Sequence, residues 1–96
     1  MQEYLIYAWD AIDKAAIERR LAARPRHFEG ARELKKNGNF ISGGAMIDDN
    51  GIMRGSMMVV RFASRQELDA WLSIEPYVTE KVWHKIDIHL FRVAFV

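Results

Sequence analysis

His27 has the most informative surroundings of any group in this chain able to move a proton near neutral pH. It stands two residues after Pro25, and proline is best tolerated in a first helical turn, so the sequence predicts a helix that opens at Pro25 with His27 in that turn. Unpaired backbone amides and the helix dipole disfavour an imidazolium there, which keeps a neutral ring available as a base. Asp10 closes an aromatic-rich apolar run, where its carboxylate is expected to reach the start of that helix. A histidine beside a carboxylate is a usable acid–base pair, so the catalytic expectation is His27 with Asp10. Plainer readings exist for both: a surface histidine making one hydrogen bond, and a turn aspartate bonding its own backbone.

Groups suited to holding a ligand gather at the same end. Arg19, Arg20 and Arg24 precede His27 and suit a carboxylate-bearing substrate, although a solvated helix face accounts for at least two of them equally well. Ser42-Gly43-Gly44 interrupts a strand-like run, and glycine inside a strand implies a close approach by a ligand, a bulge or another element. Gly55-Ser56 lies across a turn from it, so Ser56 is expected in the same wall. Other chemistries lack their residues. No glycine-rich turn leads into a Lys-Ser/Thr helix, and no Ser–His–acid order is present. His84 and His89 are five apart on an expected strand and point to opposite faces, so no metal is expected. With no cysteine, disulfides, thiolate zinc sites and iron–sulfur clusters are excluded.

The elements that must position these residues follow from periodicity. Ninety-six residues make one domain, 1–96, of ordinary globular composition, 50% hydrophobic and 28% charged. Tyr4 to Trp9, apolar at both alternations, reads as a central strand. Asp13 is the expected cap of a first helical piece carrying Ile17 and Leu21, and the second piece, from Pro25, carries Phe28, Ala31 and Leu34 inward to a stop at Asn37-Gly38. Phe40–Ile47 and Met53–Phe62 flank the Asn50-Gly51 hairpin signal. Ser64-Arg65-Gln66-Glu67 is a capping box opening a helix with Leu68, Trp71 and Leu72 inward. After the Pro76-Tyr77-Val78 connection, 83–93 is the last strand. The order βαββαβ predicts an α+β ferredoxin-like fold with helices on one sheet face. The other face has nothing to cover it although its strands are apolar on both sides, so a homodimer is expected.

Charge and hydropathy limit the partners. Fourteen Lys+Arg against 13 Asp+Glu, net +1, with no basic run, give no footprint for nucleic acid. No apolar stretch approaches the roughly 18–20 residues of a membrane span. Met1 to Tyr4 lacks the basic and apolar regions of a leader, so a cytoplasmic protein without a membrane partner is expected.

Taken together, the residues resemble a YCII-related domain over nearly the whole chain. The resemblance rests on Asp10 after the first strand, Glu18-Arg19-Arg20-Leu21, Arg24-Pro25-Arg26-His27, Asn37-Gly38, Ser42-Gly43-Gly44, Asp48-Asp49-Asn50-Gly51, Gly55-Ser56 and Glu75-Pro76-Tyr77-Val78. It implies a subunit that pairs into a dimeric α+β barrel, with a pocket near a His–Asp pair. Carried over, the pair is His27 and Asp10, with Ser56 and Tyr77 in the pocket. This chain departs from the family at Glu75, where Asp-Pro-Tyr is usual. The implied function is a lyase, isomerase or dehalogenating enzyme acting on a small anionic organic substrate without a cofactor. The alternatives are a non-catalytic small-ligand-binding or stress-related module, and a heme- or oxygen-linked protein.

Overall fold

A computed structural model describes all 96 residues. Seven elements follow in order: β1 (Gln2–Asp10), α1 (Ala16–Lys36), β2 (Phe40–Ile47), β3 (Met53–Phe62), α2 (Arg65–Leu72), α3 (Pro76–Thr79) and β4 (Trp83–Phe91). The four strands form one antiparallel sheet in the order β2-β3-β1-β4. β1 is central, as its two-sided apolar pattern predicts. The register pairs Tyr4 with Val60, Ile6 with Met58 and Ala8 with Ser56. These side chains share one face, where they meet Ala23 and Leu34 of α1 and Leu68 of α2 in the buried core. Leu5, Tyr7, Trp9, Met57 and Val59 take the other alternation, on the face no helix covers. No helix is long and apolar enough to cross a membrane.

α1 departs from the sequence expectation in two ways that matter for the site. It is one helix rather than two pieces, with Pro25 inside it and no side-chain cap from Asp13. Asp13 instead pairs with Arg19 through both carboxylate oxygens, at 2.6 and 2.8 Å. Pro25 is exposed, as is Leu21, whose carbonyl loses a partner because proline has no N–H. Water can serve that carbonyl, so the helix continues without burying an unpaired group. The buried stripe is also rotated from the expected one. It runs Ala16, Arg20, Ala23, His27, Leu34, whereas Leu21 and Phe28 are exposed. Two charged or titratable residues thus occupy the helix face turned to the sheet. Gly38, with φ of 77°, ends the chain's run past α1 in the left-handed region.

The other local signals match. Asp48 accepts the amides of Asn50 and Ile52 at 2.9 and 3.0 Å, and Gly51 takes a φ of 78° in the β2–β3 loop. Ser64 caps α2 by accepting the Glu67 amide at 3.2 Å, while the Glu67 carboxylate reaches the amide of Ala63 instead of that of the cap itself. The expected Pro76-Tyr77-Val78 connection is the short helix α3, opened by Glu75 as N-cap.

Candidate active site

Arg20 and His27 lie two turns apart on the buried stripe of α1, so both project toward the sheet. Each meets a buried carboxylate. Arg20, 1% exposed, donates from Nε to Asp10 Oδ2 at 2.9 Å. Its Nη2 donates to Ser56 Oγ at 2.5 Å and to the Gly55 carbonyl. Ser56 also accepts from Trp83 Nε1 at 3.1 Å. The second Asp10 oxygen, Oδ1, is buried without a partner. Burial pushes the Asp10 carboxyl above its ordinary value, against the opposing pull of Arg20, Arg19 and Arg54.

His27 meets the other carboxylate through Nδ1, which contacts Glu75 Oε1. An ionised carboxylate only accepts, so Nδ1 carries a hydrogen, and in the neutral ring the lone pair lies on Nε2. The same Oε1 accepts the Tyr77 amide at 3.1 Å, which makes Glu75 at once the cap of α3 and the orienting group of the histidine. Tyr77 stacks on the imidazole, with centroids 3.9 Å apart and planes 12° from parallel. The Arg20 guanidinium lies 4.8 Å from the same Tyr77 ring, so the two networks meet there. Burial raises the Tyr77 hydroxyl pKa and keeps the phenol neutral.

A cavity of about 220 Å³ opens between α1 and the β2–β3 half of the sheet. His27, Arg24, Gly43, Gly44, Ser56 and Tyr77, singled out from the sequence, all line it. Arg20 does too, and Phe28, Phe40 and Met58 contribute apolar wall. Arg24 lies over Phe28, 4.6 Å from the ring centroid. The two glycines differ. A Cβ on Gly43 would stand 2.9 Å from the Met57 carbonyl oxygen and within 3.3 Å of Phe40 and Met58, so only glycine fits without displacement. A Cβ on Gly44 would meet nothing within 4 Å. Gly44 pairs with Met57, on the alternation opposite Gly43, so only its backbone edges the cavity.

The expected His27–Asp10 contact is not formed. Asp10 does not line the cavity, and its carboxylate belongs to Arg20. The expectation depended on a helix starting at Pro25. Because α1 is continuous, His27 is displaced from any helix end and turns instead to the segment before α3. Two residues of the site escaped the sequence reading in these roles. Arg20 is read from the sequence as one of three arginines suited to a substrate carboxylate, but it sits among charges that resemble a solvated face and nothing there ties it to Asp10 and Ser56. Glu75 was visible as the residue before Pro76-Tyr77, but nothing in the sequence tied it to the histidine.

A two-layer α+β domain with ferredoxin-like topology, carrying a cavity walled by a histidine and two arginines, is the class that fold and site define. The chain belongs to the YCII-related domain family, whose model matches residues 3–92. It is 31% identical over 98 residues to Protein YciI of Escherichia coli O6:H1 and, equally, to that of Shigella flexneri, covering 96% of this chain and 98% of each relative. Among solved structures it is similar to 5-chloro-2-hydroxyhydroquinone dehydrochlorinase (TftG) from Burkholderia phenoliruptrix AC1100 in complex with 2,5-dihydroxybenzoquinone. There the TM-score is 0.81 at 18% identity, over 96% of this chain and 95% of that one. A dimeric ferredoxin-like protein of unknown function from Jannaschia sp. CCS1 is similar at a TM-score of 0.56 and 13% identity, over 97% and 100% of the two chains.

Proposed function

We propose that this chain is an enzyme that removes HX from, or shifts a proton within, a small anionic organic molecule, with His27 as acid–base and Glu75 as its orienting carboxylate. The observation that carries this reading is the buried His27–Glu75 contact at the wall of a cavity that also holds Arg20 and Arg24. Nδ1 is committed to Glu75, so Nε2 takes the proton from an acidic O–H or C–H of the substrate. In a dehydrochlorination the proton is returned to the chlorine-bearing carbon as the O–H pair becomes a carbonyl π bond, and loss of a second hydroxyl proton then drives chloride out with the pair of its own C–Cl bond, leaving a quinone. Loss of HCl in this way balances without an oxidant, a reductant or a cofactor. The similarity to TftG supports a halogenated hydroquinone as the first compound to try.

Chloride release from 5-chloro-2-hydroxyhydroquinone, followed by ion chromatography, tests the reading. Turnover by the parent and a loss of about 10²-fold or more in His27→Asn are expected, the usual range for removing a general base. Binding of 2,5-dihydroxybenzoquinone without turnover of any halogenated or enolisable analogue would favour a ligand-binding module instead.

The working form in this proposal is a homodimer joined through the open sheet face. Support comes from Leu5, Tyr7, Trp9 and Met57 on that face, with Trp9 40% exposed, and from the dimeric Jannaschia neighbour. Sedimentation at micromolar concentration should give twice the monomer mass, and Trp9→Glu should reduce it to the monomer. A parent protein that stays monomeric under those conditions overturns the assembly.

A further inference from the structure

Counting hydrogens around Arg20 and Ser56 identifies donors that the chain itself does not use. A guanidinium has five N–H groups. Nε serves Asp10, and Nη2 serves Ser56 and the Gly55 carbonyl, while Nη1 has no acceptor in the protein. The Ser56 oxygen receives two donors, from Arg20 and from Trp83, which fills both of its lone pairs. Its one hydrogen is left, and no group of the chain accepts it. Both residues are buried, at 1% and 4% exposure, and both line the cavity. Arg20 Nη1 is not among the sealed, unpartnered atoms of the chain, so its hydrogens are open to an acceptor from outside, while Asp10, the anion paired with Arg20, does not face the cavity.

Resting on the reading of the cavity given above, we infer that Arg20 Nη1 and the Ser56 hydroxyl form its oxyanion subsite, which takes an anionic sp² oxygen, carboxylate or ionised enol, of a small planar ligand. Asp10 is the positioning residue that fixes the guanidinium from behind. Ser56 is a hydrogen-bond donor and not a nucleophile, because both lone pairs are already engaged and its hydroxyl makes no hydrogen bond to His27. A ligand seated on this pair lies along the apolar wall of Phe28, Phe40 and Met58. Charge developing on its oxygen as His27 withdraws a proton is then met by donors already in place.

Calorimetric titration of the parent and of Ser56→Ala with three probes tests the assignment: benzoate, 2,5-dihydroxybenzoquinone ionised at pH 7.5, and neutral benzyl alcohol. The parent should prefer at least one of the anions over benzyl alcohol by about tenfold or more, the size expected of charge-assisted hydrogen bonds. Which anion binds tighter tells carboxylate from enol oxygen. Ser56→Ala should lose about tenfold for that anion while binding benzyl alcohol as the parent does. An unchanged preference in Ser56→Ala overturns the subsite and leaves the cavity standing, whereas failure of all three probes to bind the parent overturns the cavity reading itself. If Ser56→Ala does not fold, a crystal structure of the parent with benzoate decides. Carboxylate oxygens on Arg20 Nη1 and Ser56 Oγ support the inference, and a carboxylate held by Arg24 alone refutes it.

Discussion

Asp10 and Glu75 are both buried carboxylates facing a cationic or protonatable partner, and they are held in opposite ways. Asp10 gives one oxygen to Arg20 and leaves the other without a partner, so burial dominates and its carboxyl is pushed up. Glu75 gathers two N–H donors, from His27 and from Tyr77, onto one oxygen. Arginine does not surrender its proton in proteins, so the Asp10–Arg20 pair can fix geometry and hold an anion but cannot relay a proton. Histidine can, so the Glu75–His27 pair is where a proton can move. The difference separates a framework pair from a pair able to move a proton, the working pair of the proposed reaction, within one small domain.

Breaking the framework pair should have the largest effect. Arg20→Leu strands a buried carboxylate and should lower stability by about 3–5 kcal/mol in urea denaturation, while Asp10→Leu combined with Arg20→Leu should recover part of that loss. A single variant within about 1 kcal/mol of the parent would mean that Asp10 gains water and that the pair is not the framework argued here.

The working pair should respond in the other currency. Glu75→Gln keeps an acceptor for both N–H donors, so stability should fall by only about 1 kcal/mol, yet turnover should drop by about 10²-fold because the amide no longer stabilises a protonated ring. A Glu75→Gln variant as destabilised as Arg20→Leu would erase the distinction between the two pairs.

Smallest is the pH dependence, which sets Asp10 against an exposed carboxylate. Because the Asp10 pKa is raised from 3.8, the folded chain holds its proton more tightly than the unfolded chain, and its contribution to stability falls as pH rises above 3.8. Asp13, lowered from 3.8 to about 2 chiefly by its hydrogen bonds from Arg19, acts with the opposite sign. Its contribution is present above 3.8 and is lost as pH falls toward 2. Melting temperatures of Asp10→Asn and Asp13→Asn relative to the parent, measured from about pH 2 to pH 6, should therefore drift in opposite directions. Only the Asp13 difference should fade in high salt.

The sheet was readable because strand signals are local: apolar residues on both alternations made β1 central, and Asn50-Gly51 fixed the turn that pairs β2 with β3. α1 was misread because its buried face is partly polar. A search for apolar stripes selects Leu21 and Phe28, which are exposed, and passes over Arg20 and His27, which are inside. Pro25 compounded this, since a proline on the solvent side leaves a helix intact where one on the packed side would not. The contact between His27 and Glu75 joins residues 48 apart in sequence, and no spacing rule spans that distance. The cavity residues were visible as types, while their partners depended on how the long helix lies on the sheet.

Glu75 caps the four residues of α3 with the same oxygen that holds the imidazole. Whatever a bound molecule does to the proton or position of His27 therefore changes how firmly that oxygen is shared with the Tyr77 amide. A tighter cap slows the exchange of that amide's hydrogen with solvent deuterium, and a looser one speeds it. Events at the imidazole can thus be followed as a rate on the backbone, one residue past the proline.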